Sequence, residues 1–271
     1  MTAISSTHAD VHAAGSGVTF GRVLHSEWIK LRSLRSTVIL LACTAAAMAG
    51  LGMLAAWGAT LAAGEGQPVG EQDLHGTITG GLAFGQLVLG SLAILLISAE
   101  YGTGMIRSTM ITVPRRIPAV LAKAAVIALV SYVAGTVSAF ATYFAVQPVL
   151  GPDGMGFVLD SAVLGSILCT GLYLSLVALM GLALGTLLRN SAGSIVTLSA
   201  LLLVVPMALS MIPGELFANI SKYLPSNAGA QLTATRIADG SLTQLQGGLV
   251  MAVWAVVPLI IALAAIKRRD V

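Results

Sequence analysis

The chain has very few charged residues, and long stretches contain none. Asp, Glu, Lys and Arg make up 9% of its 271 residues, against about a quarter in a typical soluble domain. Placing a charged side chain at mid-bilayer costs roughly 2.5–3.5 kcal/mol on insertion scales. Uncharged apolar stretches of about 20 residues therefore predict membrane-spanning helices. Six such stretches also lack histidine, at about residues 37–62, 77–99, 124–146, 161–188, 193–212 and 248–266.

The lack of ionisable side chains in these stretches argues against one common way of powering transport. A carrier driven by protons or metal ions usually keeps an ionisable residue inside its helix bundle as the coupling site. No inverted repeat supports a secondary carrier either. If the protein moves a solute uphill, we expect the energy to enter from outside the bilayer.

Motifs for nucleotide, metal or covalent chemistry are also missing. A P-loop needs a lysine directly after a glycine, because glycine amides and the lysine ammonium together cradle phosphates. The lysines here follow Ile, Ala, Ser and Ile, at Lys30, Lys123, Lys222 and Lys267. No metal-ligand spacing is present, and the two cysteines fall inside predicted spans, so no disulfide framework is indicated. We expect no enzyme activity, no cofactor and no metal in this chain.

Nearly all of the 14 basic residues lie on one side of the predicted topology. Only Lys222 and Arg236 lie on the other. By the positive-inside rule the basic side is cytoplasmic, which places both termini inside. The net charge is +3, and the basic residues on this side are spread over four segments that flank spans. We therefore expect the lipid bilayer as a partner and no nucleic acid. The basic residues on the first side are Arg22, Lys30, Arg32, Arg35, Arg107, Arg115, Arg116, Lys123, Arg189, Lys267, Arg268 and Arg269.

The residues before the first span predict a disordered cytoplasmic tail followed by a helix. Residues 1–17 are small and polar, without apolar periodicity. Over residues 18–36, helical spacing places Leu24, Trp28 and Leu31 on one face, with Arg35 at its end. This pattern predicts an amphipathic helix on the cytoplasmic leaflet, with its Trp at headgroup level. The alternative is a charged flank that only anchors the first span.

Residues 213–247 form the longest segment on the outer side. Apolar residues between Leu216 and Leu224 share one face of a short predicted helix. Residues 225–227 would break it, and residues 228–238 would form a second helix. Such apolar faces favour helices that dip into the interface or cap the bundle. An ordered surface loop is the alternative.

Small and polar residues inside the spans predict contacts between helices. Two pairs of glycines are spaced to lie on one helix face and allow close packing: Gly81 with Gly85, and Gly181 with Gly185. The larger polar groups suit interhelical hydrogen bonds better than a substrate path; they are Gln86, Tyr132, Tyr143 and Tyr173. Two prolines within spans predict kinks, Pro206 and Pro258.

The segment between the second and third spans, about residues 100–122, combines an acid, a helix-compatible stretch and a basic end. It reads Glu100-Tyr101-Gly102-Thr103-Gly104-Met105-Ile106-Arg107-Ser108-Thr109 and continues to Val113-Pro114-Arg115-Arg116. A short charged element at this place is suited to transmit force between the bundle and a soluble partner. A basic turn that obeys the positive-inside rule fits the spacing equally well.

These motifs resemble those of ABC-2-type transporter permeases, especially the compact ones of actinobacteria. The loop is similar to the family's E-Y-x-T-G-x-I-R-S-T, followed by V-P-R-R and a lysine, here Lys123. Residues 224–229 are similar to the family's loop before its last span. The likeness covers all but residues 1–17. The N-terminal segment resembles the family's E-W-x-K-L-R-S-L-R-S-T elbow, with Glu27, Trp28, Lys30, Arg32 and Arg35 among the matching residues.

The resemblance implies an all-α integral membrane protein of the ABC-2, or type V exporter-like, permease fold. Residues 18–271 would form one permease domain in the bacterial cytoplasmic membrane, with an N-terminal amphipathic elbow helix and both termini inside. The loop would be a coupling helix seated in a separate ABC ATPase subunit, and a second permease copy or a sister permease would complete the pathway. The implied coupling interface is Glu100, Tyr101, Thr103, Gly104, Arg107, Pro114, Arg115 and Arg116.

The function that the resemblance implies is ATP-driven export. The apolar and small residues of the spans favour a hydrophobic or amphiphilic cargo, such as a drug, an antibiotic peptide or a lipid. The alternative is a membrane scaffold or sensor that docks a cytoplasmic partner without transport. The combination of the elbow and loop motifs favours the exporter.

Overall fold

The computed structural model describes residues 19–67, 76–102, 116–151, 155–156, 158–237 and 240–268. The regular secondary structure in these residues is helical, with no strand. The helices, numbered along the chain, are α1 (Phe20–Ser33), α2 (Arg35–Gly64), α3 (Leu82–Gly102), α4 (Arg116–Leu150), α5 (Ser161–Leu188), α6 (Ser191–Ser199), a π-helical turn (Ala200–Val204), α7 (Val205–Ser210), α8 (Glu215–Ser221), α9 (Pro225–Thr233) and α10 (Gln244–Arg268).

Six helical segments are long and apolar enough to cross a membrane, as the uncharged stretches predicted. The third of them begins at Ile117, about two turns before the predicted start, so Lys123 lies inside a helix. Because six is an even number, a chain that crosses the membrane at all six segments has α1 and the last turn of α10 on the same side. The six segments are Arg35–Gly64, Gly76–Gly102, Ile117–Leu150, Ser161–Leu188, Ser191–Ser210 and Gln244–Arg268.

Helix α5 is the centre of the bundle, and it packs against α3, α4 and α10. It is the most buried of the six spans, whereas α2, the α6–α7 segment and α10 keep most of their side chains outward. The outward side chains are themselves apolar: Leu54 and Trp57 of α2 are 60% and 58% exposed. Outward apolar faces on membrane-spanning helices suit contact with lipid or with another chain.

The two predicted glycine pairs allow the close helix contacts expected of them. A Cβ added at Gly81 would overlap the Met48 backbone of α2, and one at Gly85 would press on the Met48 side chain. A Cβ at Gly181 of α5 would meet the backbone of Gly90 in α3. Because any side chain at Gly81 or Gly181 would separate these backbones, the small residues fix how near the helices lie.

The connection between α5 and α6 consists of two residues. Arg189 takes the left-handed conformation, with φ 52°, and its N–H bonds the carbonyl of Gly185 to end α5. The Asn190 side chain then accepts a hydrogen bond from the N–H of Gly193 and caps α6. This short turn lies at the end of the bundle where α3 also ends.

The fifth span contains a π-helical turn directly before Pro206. Proline has no N–H to donate, so it cannot continue the regular hydrogen-bonding pattern of an α-helix. The π turn over Ala200–Val204 places this irregularity just upstream, between α6 and α7. Pro258, by contrast, lies inside α10, which continues as one helix through Arg268.

The segment between the fifth and sixth spans, which the sequence predicts to be outer, forms two short helices, α8 and α9. Helix α9 begins at Pro225, three residues before the predicted start, because proline is favoured in the first turn, where its missing N–H costs nothing. Its buried residues include Ala228, Gly229 and Leu232, and it packs against α5 and α10. Helix α8 has no buried residue. The segment therefore caps the bundle through α9.

Candidate functional site

Four charged side chains from three helices meet at the end of the bundle where α1 lies. Glu27 and Lys30 come from α1, Glu100 from the last turn of α3, and Lys123 from about two turns into α4. We call these residues the charge cluster. Glu27, Glu100 and Lys123 are buried, at 5%, 8% and 8% exposure.

Each lysine of the cluster contacts both carboxylates. The Lys123 Nζ lies 2.8 Å from the Glu100 Oε1 and also donates to the Glu27 Oε2. The Lys30 Nζ lies 2.6 Å from the Glu27 Oε1 and 3.4 Å from the Glu100 Oε1. Two acids and two bases carry no net charge. Buried charges persist only when they are paired and hydrogen-bonded in this way.

Pairing also determines the ionisation of the two residues from α1. Burial alone would raise the pKa of the Glu27 carboxyl, but the charge of Lys123 and hydrogen bonds from both lysines hold that pKa below its usual value. Burial alone would lower the pKa of the Lys30 ammonium, but the hydrogen bond to Glu27 and the charges of both acids raise it. Both side chains therefore stay charged near neutral pH.

Helix α1 packs on the bundle with a face different from most of its apolar stripe. Leu24 and Trp28 of that stripe are 36% and 41% exposed, and their predicted place at the lipid interface stays a prediction. The buried residues of α1 are Val23, Glu27 and Leu31, spaced four apart. Val23 packs on two alanines of the first turns of α4, Ala119 and Ala122. The sequence pattern did not indicate this inward face, because Glu27 is buried through its ion pairs.

The cluster lies near the last turn of α3 and the first turns of α4. Helix α3 ends at Gly102 and α4 begins at Arg116. The cluster joins α1 to both of these helix ends through Glu100 and Lys123. The end of α3 and the start of α4 are therefore held close to each other and to α1.

The predicted coupling residues fall into two groups. Glu100 is in the cluster, and the Tyr101 ring lies 5.1 Å from the guanidinium carbon of Arg189, in cation–π geometry. The Arg116 backbone begins α4, and its side chain lies outside the described residues. The rest of the predicted interface also lies outside them: Thr103, Gly104, Arg107, Pro114 and Arg115.

The predicted elbow residues also divide between two roles. Glu27 and Lys30 point into the cluster, whereas Trp28, Arg32 and Arg35 are exposed. The partnership of Glu27 with Lys123 was missed from the sequence. The available signal was a charged residue flanked at four-residue spacing by the apolar Val23 and Leu31, together with an unmatched lysine near the start of the third span.

A second buried polar contact lies deeper in the bundle, beneath α9. Tyr173 of α5 is 1% exposed, and its hydroxyl donates to the Gln86 Oε1 of α3. The Tyr173 ring packs so closely against Gly229 that a Cβ there would overlap it. On α10, the Trp254 Nε1 donates to the Tyr223 carbonyl at 2.8 Å. The prediction of an interhelical hydrogen bond is confirmed for Gln86 and Tyr173.

The side chains of the cluster are suited to hold helices together rather than to perform covalent chemistry. They are two carboxylates and two ammonium groups, and each is occupied by the others. Across the described part of the chain, no group of three or more His, Cys, Asp or Glu side chains could hold a metal ion.

Comparison with known proteins gives one family match. A family model described as "ABC-2 family transporter protein" matches residues 23–208. The match begins within α1 and ends within α7, so it contains the whole charge cluster, the first four spans and most of the fifth. None of the curated proteins compared with the chain matches it.

Proposed function

The chain belongs to the ABC-2 family of transporter proteins and is a multi-pass permease component of an ABC transporter, and from this premise we propose that it couples ATP hydrolysis by a separate ATPase subunit to export. The observation that carries the proposal is the charge cluster. It ties α1 to both ends of the 103–115 segment, so a push on that segment would be transmitted to α1, α3 and α4 together.

The energy source would be a second polypeptide. The sequence offers no P-loop, and the six uncharged stretches contain no Asp, Glu, Lys, Arg or His that could couple transport to an ion gradient. ABC-2 permeases work with an ABC ATPase, and we propose that the loop from Glu100 to Arg116 is its contact. Closure of the ATPase would then rock the half-bundles between two packings.

The charge distribution supports an orientation with both termini in the cytoplasm of a bacterial cell. Arg189 contacts Tyr101, which places the basic α5–α6 turn beside the end of α3. Helix α10 also carries Lys267 and Arg268 in its last turn. These residues and the arginines of α1 fit the cytoplasmic side under the positive-inside rule. Helices α8 and α9 would then face outward.

A second permease, identical or related, would complete the pathway. The outward apolar faces of α2 and of the α6–α7 segment provide surface for such a partner. The cargo that fits a bundle of apolar and small residues is hydrophobic or amphiphilic. We propose both the second permease and this class of cargo.

Charge reversal of the loop tests the proposal. Arg115→Glu with Arg116→Glu should abolish co-purification of the ABC ATPase with the tagged chain, or abolish the response of ATPase rate to complex formation. The reason is that the reversed charges would no longer complement the charge of the ATPase surface that the wild-type loop is proposed to contact. The matched control is Lys222→Glu with Arg236→Glu, which makes the same charge change on the proposed outer side. Wild-type co-purification and ATPase response in the loop variant would overturn the coupling assignment.

A further inference from the structure

A cavity of about 470 Å³ lies beside the charge cluster, between α1, α2, α3 and α4. This volume is within the usual range for small-molecule sites. Two lining residues, Leu34 and Leu95, are 43% and 44% exposed, so the cavity is accessible from outside the bundle. Its walls are mainly aliphatic and include Leu31, Leu40, Leu92, Leu96 and Ile127.

The walls suit a hydrocarbon chain. Along α3 the lining runs from Leu92 to Glu100, which at 1.5 Å per residue is about 12 Å of helix. A sugar or a peptide placed there would leave its polar groups without partners, at a cost of roughly 1–3 kcal/mol for each group. An acyl chain has no such groups, and it would cover the aliphatic side chains.

The polar end of the cavity suits a phosphate. The cluster residues line this end, and both carboxylates already accept from the lysines. The Lys30 side chain keeps 35% exposure, and its ammonium has three donors for two carboxylate contacts. Ser33 and Ser36 line the same cavity. The Ser33 hydroxyl donates to the Lys30 carbonyl at 2.9 Å, so Ser36 is the serine that can offer a hydroxyl proton to a phosphate.

The approach to this end of the cavity is basic. Arg32 and Arg35 flank Ser33 and Leu34 and are exposed. No acid occurs between Trp28 and Gly64. A negatively charged headgroup therefore meets complementary charge.

We propose that this cavity holds one anionic glycerophospholipid, with an acyl chain along the leucine wall and its phosphate at Lys30 and Ser36. One lipid molecule would bind to each copy of the protein and fill the space between α1 and the spans. It does not depend on ATP coupling, so the site can exist whether or not the proposed export mechanism is correct.

Lipid retention measured by native mass spectrometry tests the proposal. The detergent-purified full-length chain is stripped of lipid and then incubated with phosphatidylglycerol or with phosphatidylcholine. We expect the wild type to retain one phosphatidylglycerol per chain. Leu95→Trp fills the cavity and should lower retention roughly tenfold. Leu129→Trp is the matched control, because Leu129 is 58% exposed on α4 and does not line the cavity.

A second pair of variants tests the headgroup contact. Lys30→Gln should weaken the preference for phosphatidylglycerol over phosphatidylcholine, whereas Lys222→Gln should leave it unchanged. Equal retention in Leu95→Trp and Leu129→Trp would mean annular lipid only and would overturn the proposal. An unchanged preference in Lys30→Gln would overturn the assigned headgroup contact. Monodispersity and melting temperature, measured alongside, show that each variant is folded.

Discussion

At the scale of single residues, Lys123 joins the most distant parts of the cluster. Its ammonium is buried between Glu100 of α3 and Glu27 of α1, which lies 96 residues away in the sequence. Lys30 contacts the same acids, but it comes from α1 itself and its side chain is 35% exposed. Lys123 therefore provides the cluster's buried positive charge, and α4 is the helix that places it there.

Removal of this lysine should be costly. Lys123→Met leaves two buried carboxylates with one partly exposed lysine, and losing one partner of a buried ion pair costs about 3–5 kcal/mol. Lys30→Met should cost less, because solvent already screens that group. Thermal unfolding in nanodiscs, followed by tryptophan fluorescence, measures both. Adding Glu27→Gln and Glu100→Gln to Lys123→Met should recover part of the loss. A Lys123→Met variant as stable as Lys222→Met would contradict the structural role of the cluster.

At the scale of helices, the spans could be predicted because they depend on a local property. The absence of charge over about 20 residues is readable from the chain itself, and all six spans are found. The start of α4 was placed late because Lys123 was taken to belong to a loop. A lysine can lie within a helix when acids from other helices neutralise it, and local sequence does not show those partners.

The inward face of α1 illustrates the same limit. Glu27 packs inward because of Lys123, and Lys30 contacts an acid 70 residues away in the sequence. Helical periodicity places residues on a face, but it does not say which face meets the bundle. The motif resemblance brought Glu27, Lys30, Glu100 and Lys123 to attention one by one. Their contact with one another came only from the fold.

The seating of α9 gives a prediction at this scale. Gly229 lies against the Tyr173 ring with no space for a Cβ, and that ring is itself 1% exposed. Gly229→Ala should therefore displace α9 and destabilise the protein by about 1–3 kcal/mol, the usual cost of overpacking. Gly165→Ala in α5 is the control, because a Cβ there meets nothing within 4 Å. Melting temperatures compare the two variants. Equal stability would contradict the tight contact between α9 and α5.

At the scale of the whole molecule, one end of the bundle is tied together by charge and the opposite end by close packing. The cluster joins α1, α3 and α4, while α9 packs on α5 and α10. A segment attached to the charged end would move α1, α3 and α4 as a unit, because their contacts are buried. This division fits a permease in which force enters at one end and the pathway opens at the other.

The charged end makes the stability of the molecule depend on pH in a defined direction. The pKa of Glu27 is lowered from an ordinary 4.5, so its contribution is complete above that value. It is lost as the pH falls through the lower value of the folded state. The pKa of Lys30 is raised from an ordinary 10.5, so its contribution is complete below that value and is lost as the pH rises through the higher folded-state value. Between these limits both residues should hold α1 in place.

We therefore expect a plateau in melting temperature across neutral pH, with a fall below about pH 4.5 in which Glu27 takes part. Glu27→Gln cannot ionise, so its plateau should be lower and its acid-side fall shallower than in the wild type. Melting curves in nanodiscs of uncharged lipid, collected from acidic to neutral pH, separate the two. Glu215→Gln is the control, since Glu215 begins α8, a helix with no buried residue, and it should reproduce the wild-type curve. If Glu27→Gln also reproduced that curve, the ion pairs of Glu27 would not be what ties α1 to the bundle.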